Sequence, residues 1–130
     1  MNYIITTIIS ACFLLFSVFV VPYNDIEKAF NTGNAAKIME LGTSKVLISI
    51  EGEEGAYSKS QGTQVLTNFF KNNPPKSFIF KFKGNEEGPS AFAVGEYQST
   101  TKLFRVSFKL KEVNKNYFIE SLVFTVATSE

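Results

Sequence analysis

In 130 residues the chain has no histidine, no tryptophan, one cysteine (Cys12) and one aspartate (Asp25). Without histidine it lacks the commonest metal ligand and the commonest general base near neutral pH. A lone cysteine rules out an internal disulfide. Neither sign of charge is in excess: 13 Lys and Arg stand against 12 Asp and Glu, for a net charge of +1. A dedicated nucleic-acid binder shows a strong basic surplus, so that partner class is not expected. There is no phosphate-cradling glycine motif, no cluster at metal-ligand spacing, no internal repeat and no low-complexity linker. The expectation is therefore of no cofactor, no metal and no assigned catalytic residue. What the chain has in plenty is phenylalanine, 14 copies, most of them after residue 68 and suited to filling a core. Its length is that of one domain of about 100–150 residues.

Residues 4–21 carry no charge. That length suits a secretory signal or a marginal membrane span of roughly 20 residues. No lysine or arginine precedes the run, and no small-x-small cleavage site appears before Pro22. A cleaved signal, an uncleaved N-terminal anchor and a buried core element are the three readings, with export first. The expected division is a leader or anchor over residues 1–22 and one domain over 23–130, placing the domain outside the cytoplasm, periplasmic or anchored facing that space. Ile9-Ser10-Ala11-Cys12 has the form of a lipoprotein box, but the apolar run continues past Cys12, so an unmodified cysteine is the simpler reading.

Polarity changes at Tyr23-Asn24-Asp25. Asn24 or Asp25 can cap a helix carrying Ile26, Ala29 and Phe30, which Gly33 breaks. Asn34 caps a second short helix with Ala35, Ile38, Met39 and Leu41, closed by Gly42. Val46, Ile48 and Ile50 alternate with Lys45, Leu47, Ser49 and Glu51 as a strand with one apolar face. Glu51-Gly52-Glu53-Glu54-Gly55 reads as a solvated acidic turn, since the ligand spacing of a calcium loop is absent. A short extended piece then leads into a helix from about Lys59 to Lys71. Ser58 or Ser60 caps it, Val65, Leu66, Phe69 and Phe70 share one face, and Asn73-Pro74-Pro75 ends it.

Four strands follow. Phe78, Phe80 and Phe82 share one parity. Phe92 and Val94 share a face with Glu96, while Ala93, Gly95 and Tyr97 share the other, with Gly95 a candidate bulge. Phe104, Val106, Phe108 and Leu110 form a third row. Asn114-Lys115-Asn116 is a hairpin turn, after which Phe118, Glu120, Leu122, Phe124 and Val126 share a parity. Strands joined by short turns give an antiparallel meander. The element order predicts an α+β cone, a strongly bent antiparallel sheet wrapped around the helices.

The order helix, helix, strand, helix, antiparallel strands resembles the cone-shaped domains related to nuclear transport factor 2, a cystatin-like architecture. Gly55-x-Tyr57-Ser58-x-x-Gln61 with Val65-Leu66-x-x-Phe69-Phe70 is similar to the strand-to-helix motif of the SnoaL-like branch. More closely, the chain resembles a family of small exported bacterial domains of unknown function, family 4783. The residues carrying that resemblance are Asp25-Ile26-x-x-Ala29-Phe30-x-x-Gly33-Asn34, Tyr57-Ser58-Lys59-x-Gln61, Phe69-Phe70-x-x-Asn73-Pro74-Pro75-Lys76-Ser77-Phe78 and Phe104-Arg105-Val106. They span residues 25 to about 124. The resemblance implies the cone fold and export, and no chemistry.

Cone-fold enzymes of that superfamily place a histidine, an aspartate and a tyrosine in the pocket. Here histidine is absent and Asp25 stands at a helix start, where capping is the simpler role. The candidate ligand-binding set is Tyr57, Glu96, Tyr97, Arg105 and Glu120, each with structural hydrogen bonding or exposure as the alternative. For Glu120, whose parity is that of the buried row, three outcomes are open: a bulge turning it outward, a structural pairing with a lysine, an arginine or a tyrosine hydroxyl, or a functional carboxylate in the cone. Lys81, Lys83, Lys109 and Lys111 can form a basic stripe on the outer face, solvated or apposed to an anionic envelope surface. Two functions are carried forward. The first is a non-catalytic binding or accessory domain holding a small apolar ligand or an envelope protein, with a homodimer as one assembly and membrane contact confined to residues 1–22 if uncleaved. The alternative is a cone-fold enzyme using Glu96 or Glu120 as base. A buried carboxylate beside a tyrosine favours the enzyme, and a cone plugged by phenylalanines favours binding.

Overall fold

A computed structural model describes residues 20–84 and 88–127. The leader readings and Cys12 lie outside the described residues. Three helices, α1 (Tyr23–Asn31), α2 (Ala35–Glu40) and α3 (Lys59–Asn72), pack on a six-stranded sheet. Its strands are β1 (Gly42–Ile50), β2 (Glu53–Ser58), β3 (Pro75–Lys83), β4 (Ser90–Ser99), β5 (Leu103–Val113) and β6 (Asn116–Val126), in the spatial order β2-β1-β6-β5-β4-β3. The strands from β3 to β6 form the expected antiparallel meander. One central pair differs, since β1 runs parallel to β6. Helix α3 carries the chain from β2 at one edge of the sheet to β3 at the other, and the meander then returns to lay β6 beside β1 in the same direction, which a short hairpin could not do.

Local chemistry explains the helix ends. Gly33 takes a left-handed φ of +63°, and Asn34 N–H donates to the Ala29 carbonyl at 2.8 Å, ending α1. The Asn34 side chain then accepts from Lys37 N at 3.1 Å and starts α2. At α3, Ser58 takes the cap. Its Oγ accepts from Gln61 N at 3.3 Å while the Gln61 side chain accepts from Ser58 N at 3.4 Å, a reciprocal capping box. The expected cap of α1 is not used. The helix begins at Tyr23 after Pro22, because Tyr23 and Ile26 are drawn into the core, and Asp25 falls within the first turn. There its carboxylate still suits the positive end of the helix dipole. Contacts with the fold reach back past the composition break at residue 22. Val20 N–H donates to Lys115 O at 3.1 Å and Tyr117 N–H donates to Val20 O at 3.0 Å, and Val21 packs against the core.

The acidic turn is shorter than expected. Only Glu51 and Gly52 turn, with φ of +50° and +91°, and Glu53, Glu54 and Gly55 belong to β2. Two residues with positive φ match the twist of the flanking strands. Gly42 starts β1 and does not close α2 by a left-handed turn.

Bulges bend the sheet and change faces. On β3 the register slips between Phe80 and Phe82, leaving Lys81 extra, so Phe78 is buried while Phe82 lies 57 % exposed on the outer face opposite Val94. The bulge therefore sits on β3, facing Gly95 rather than at it. Gly95 instead makes room for a ring: a Cβ there would stand 2.4 Å from Phe78 Cζ. On β6 the register slips at Glu120, with Lys109 opposite Ser121 and Leu110 opposite Ile119. Tyr117 and Ile119 face inward before the slip, Leu122 and Phe124 after it, so Phe118 and Glu120 leave the row that strict alternation gave them.

Candidate functional site

In a cone-shaped domain the interior between sheet and helices is the first place to look for a site. Here it is filled with rings. Phe30 of α1 is fully buried, with its ring centroid 4.6 Å from Phe78, 5.7 Å from Phe108, 5.9 Å from Phe70 and 6.1 Å from Phe124. Phe69 of α3 continues the cluster, 4.6 Å from Phe124 and 5.1 Å from Phe104. Edge-to-face and offset pairs of this kind each add about 0.5–1.5 kcal/mol beyond the area they bury. The rings come from α1, α3 and strands β3 to β6, and they occupy the space between the sheet and these helices.

The five candidate residues do not converge. Tyr97 lies inside, fully buried, and donates its hydroxyl to the Asn73 carbonyl at 2.6 Å. That carbonyl follows the last turn of α3, where helix acceptors otherwise lack partners. Burial pushes the Tyr97 phenol well above its ordinary range, so it stays protonated. Glu96 and Arg105 are directly opposite each other on β4 and β5, on the outer face. Glu96 approaches Lys81 at 3.9 Å with both side chains exposed, a pair worth about 0–1 kcal/mol. Tyr57 is half-buried on β2, near the sheet's other edge, packed against the core. Glu120 is the half-buried bulge residue of β6 and forms no ion pair among the described residues. Among the described residues no tyrosine and carboxylate together line any of four surface clefts. None of the five lines these clefts, of about 160, 300, 490 and 290 Å³. Among the described residues no three potential metal-ligating acidic or cysteine side chains come together, and no helix is long and apolar enough to cross a membrane.

The outer face holds residues beyond the five candidates. Across it run rows of paired residues: Glu96 with Arg105 and Thr125, Val94 with Ser107 and Val123, Phe92 with Lys109 and Ser121. Ile79, Phe82 and Phe92 are each about half exposed there. The shared parity of Phe92, Val94 and Glu96 was the available signal. The expected basic stripe keeps Lys81, Lys109 and Lys111 but loses Lys83. Its ammonium stands over the Tyr23 ring at 4.7 Å, on the helix side.

This architecture, a curved six-stranded sheet closed over three helices, defines an α+β cone of the nuclear transport factor 2-like and cystatin-like class. The chain belongs to the family described as domain of unknown function DUF4783, which it matches over residues 23–125. It is similar to the crystal structure of a DUF4783 family protein from Bacteroides uniformis, at 22 % identity and a TM-score of 0.75, covering 82 % of this chain and 97 % of that one. An NTF2-like protein of unknown function from Silicibacter pomeroyi aligns at 14 % identity and a TM-score of 0.61, over 95 % of this chain and 98 % of that one. A cystatin-like domain of unknown function from Nostoc punctiforme gives 10 % and 0.65, over 82 % and 73 %. At these identities the likeness speaks for the fold. No curated protein matches.

Proposed function

We propose that the chain is a non-catalytic accessory domain of the cell envelope, exported by its N-terminal segment, that works by binding a protein partner on the outer face of its sheet. One observation carries this reading: the cone is occupied by Phe30, Phe69, Phe78, Phe108 and Phe124, while Glu96 and Arg105 stand outside it. A reaction or a small-ligand site needs a concave space with convergent polar groups. An accessory domain needs only a stable scaffold and an exposed face. The row of Ile79, Glu96, Arg105 and Thr125 offers apolar, anionic and cationic groups side by side, a composition suited to a protein surface.

The test is made in the native cell. A photoreactive amino acid at Arg105 is expected to give a discrete protein adduct, and one at the exposed Thr67 of α3 none. Native mass spectrometry of the protein from the same cells is expected to show the bare chain mass. A stoichiometric small molecule that is retained by the parent and lost in Glu120→Gln would overturn the reading in favour of a functional carboxylate.

A further inference from the structure

At one end of the sheet several exposed groups gather that the accessory role does not use. Phe92 is 57 % exposed and lies opposite Lys109, and Phe82 is equally exposed opposite Val94. One step further along, Lys111 lies between Ser90 and Phe118, and beyond it Val113, 42 % exposed, pairs with Asn116. Lys109, Lys111 and Val113 share the outer parity of β5. Neither lysine forms an ion pair among the described residues. The chain enters the fold at this same end, where Val20, 49 % exposed, bridges to Asn116. Immediately before it comes the uncharged run that begins at residue 4.

We infer that this end of the sheet docks on an anionic lipid bilayer, with Phe82, Phe92 and Val113 entering the headgroup boundary and Lys109 and Lys111 meeting its charge. Aromatic rings beside lysines are the composition that lies well in a membrane interface, the rings in the acyl boundary and the ammonium groups at the phosphates. The apolar run emerging at Val20 points the same way. Whether it is retained or passes through the membrane during export, it delivers the fold to the bilayer by this end. A second copy fits less well. An isologous contact centred on these rows would bring Lys109 and Lys111 of both copies together. Among the described residues the nearby carboxylates form no ion pair with either lysine: Glu112 accepts from Lys115 N at 2.6 Å and Glu120 is half-buried at the bulge. Docking here leaves the opposite rows, with Glu96 and Arg105, free for the protein partner, so the two readings can fail separately.

The absence of tryptophan makes the test clean. Phe92→Trp in the full chain, on vesicles of phosphatidylcholine with phosphatidylglycerol, is expected to emit at shorter wavelength and to be quenched by brominated acyl chains. Thr67→Trp on α3 is expected to remain unquenched. Lys109→Gln with Lys111→Gln is expected to lower the docked-to-free ratio by about thirtyfold, as two surface lysines facing anionic lipid would, and high salt should act likewise. Phe82→Trp serves as a second reporter, and circular dichroism checks that each variant is folded. The inference is overturned if neither reporter is quenched. It is equally overturned if quenching is the same on pure phosphatidylcholine or with both lysines neutralised, because the N-terminal run alone would then explain proximity. A concentration-dependent shift without vesicles would assign the face to a second copy.

Discussion

Tyr97 shows how one polar atom is accommodated in an aromatic core. Its ring packs with Phe30, Phe69, Phe70 and Phe104, and its hydroxyl reaches the only kind of acceptor a helix end leaves over, the Asn73 carbonyl at 2.6 Å. Tyr97→Phe is expected to cost about 1–2 kcal/mol, because the carbonyl loses its partner while the packing survives. Urea unfolding measures this. The phenol also gives a pH signature. Its native pKa is raised by burial, so above the ordinary phenol value, about 10, the unfolded chain releases a proton that the folded chain keeps. The unfolded state then binds fewer protons and stability falls as pH rises. The Tyr97→Phe variant should show a shallower alkaline loss of stability than the parent. Equal slopes would mean that another group governs that limb.

At the scale of elements, the open edge of β3 is the feature most exposed to error. It ends the sheet, and an unpaired edge invites pairing with other chains. Helix α1 covers part of it with side chains. Asn31 Nδ2 donates to Phe78 O at 3.2 Å, Phe78 N–H donates to Asn31 Oδ1 at 2.9 Å, and Phe80 N–H donates to Glu27 Oε1 at 3.4 Å. An asparagine thus serves as one rung of a seventh strand. Asn31→Ala leaves a part-buried donor and acceptor without partners and is expected to cost about 1–3 kcal/mol. Faster hydrogen exchange at the Phe78 amide is the specific readout, and an unchanged rate there would refute the edge-capping role. Nothing in the sequence pointed to this pair, since residues 31 and 78 meet only once α1 lies along the sheet edge.

For the whole molecule, the start of the fold is open to direct measurement. A chain beginning at Tyr23 is expected to fold cooperatively. It should be about 1–3 kcal/mol less stable than one beginning at Val20, having lost the two backbone hydrogen bonds of Val20 to Lys115 and Tyr117 and the packing of Val21, while water replaces the Val21 and Pro22 carbonyls to which Tyr23 and Ile26 N–H donate. Paired denaturation curves decide between the outcomes. Coincident curves would make the bridge at Val20 irrelevant, and complete unfolding would make residues 20–22 part of the core. Much of the architecture was legible beforehand because it is written in local rules. Proline and glycine punctuation, the Ser58 and Asn34 caps and the period-two rows of β4 and β5 depend on near neighbours alone. The pattern gave the helices, the meander and the α+β cone in this way. Tertiary structure decided what needs distant partners: the parallel pairing of β1 with β6, the bulges at Lys81 and Glu120, and the faces of Phe82 and Phe118. A bulge shifts every later side chain to the other face of its strand. Its position is fixed by how the strand fits its neighbours and the aromatic core, which strict alternation along one strand cannot register. For the same reason the sequence could name Tyr57, Glu96, Tyr97, Arg105 and Glu120 as polar residues on strands, but only the folded sheet could send Tyr97 inward to Asn73, hold Glu96 and Arg105 outside, and leave the cone to phenylalanine.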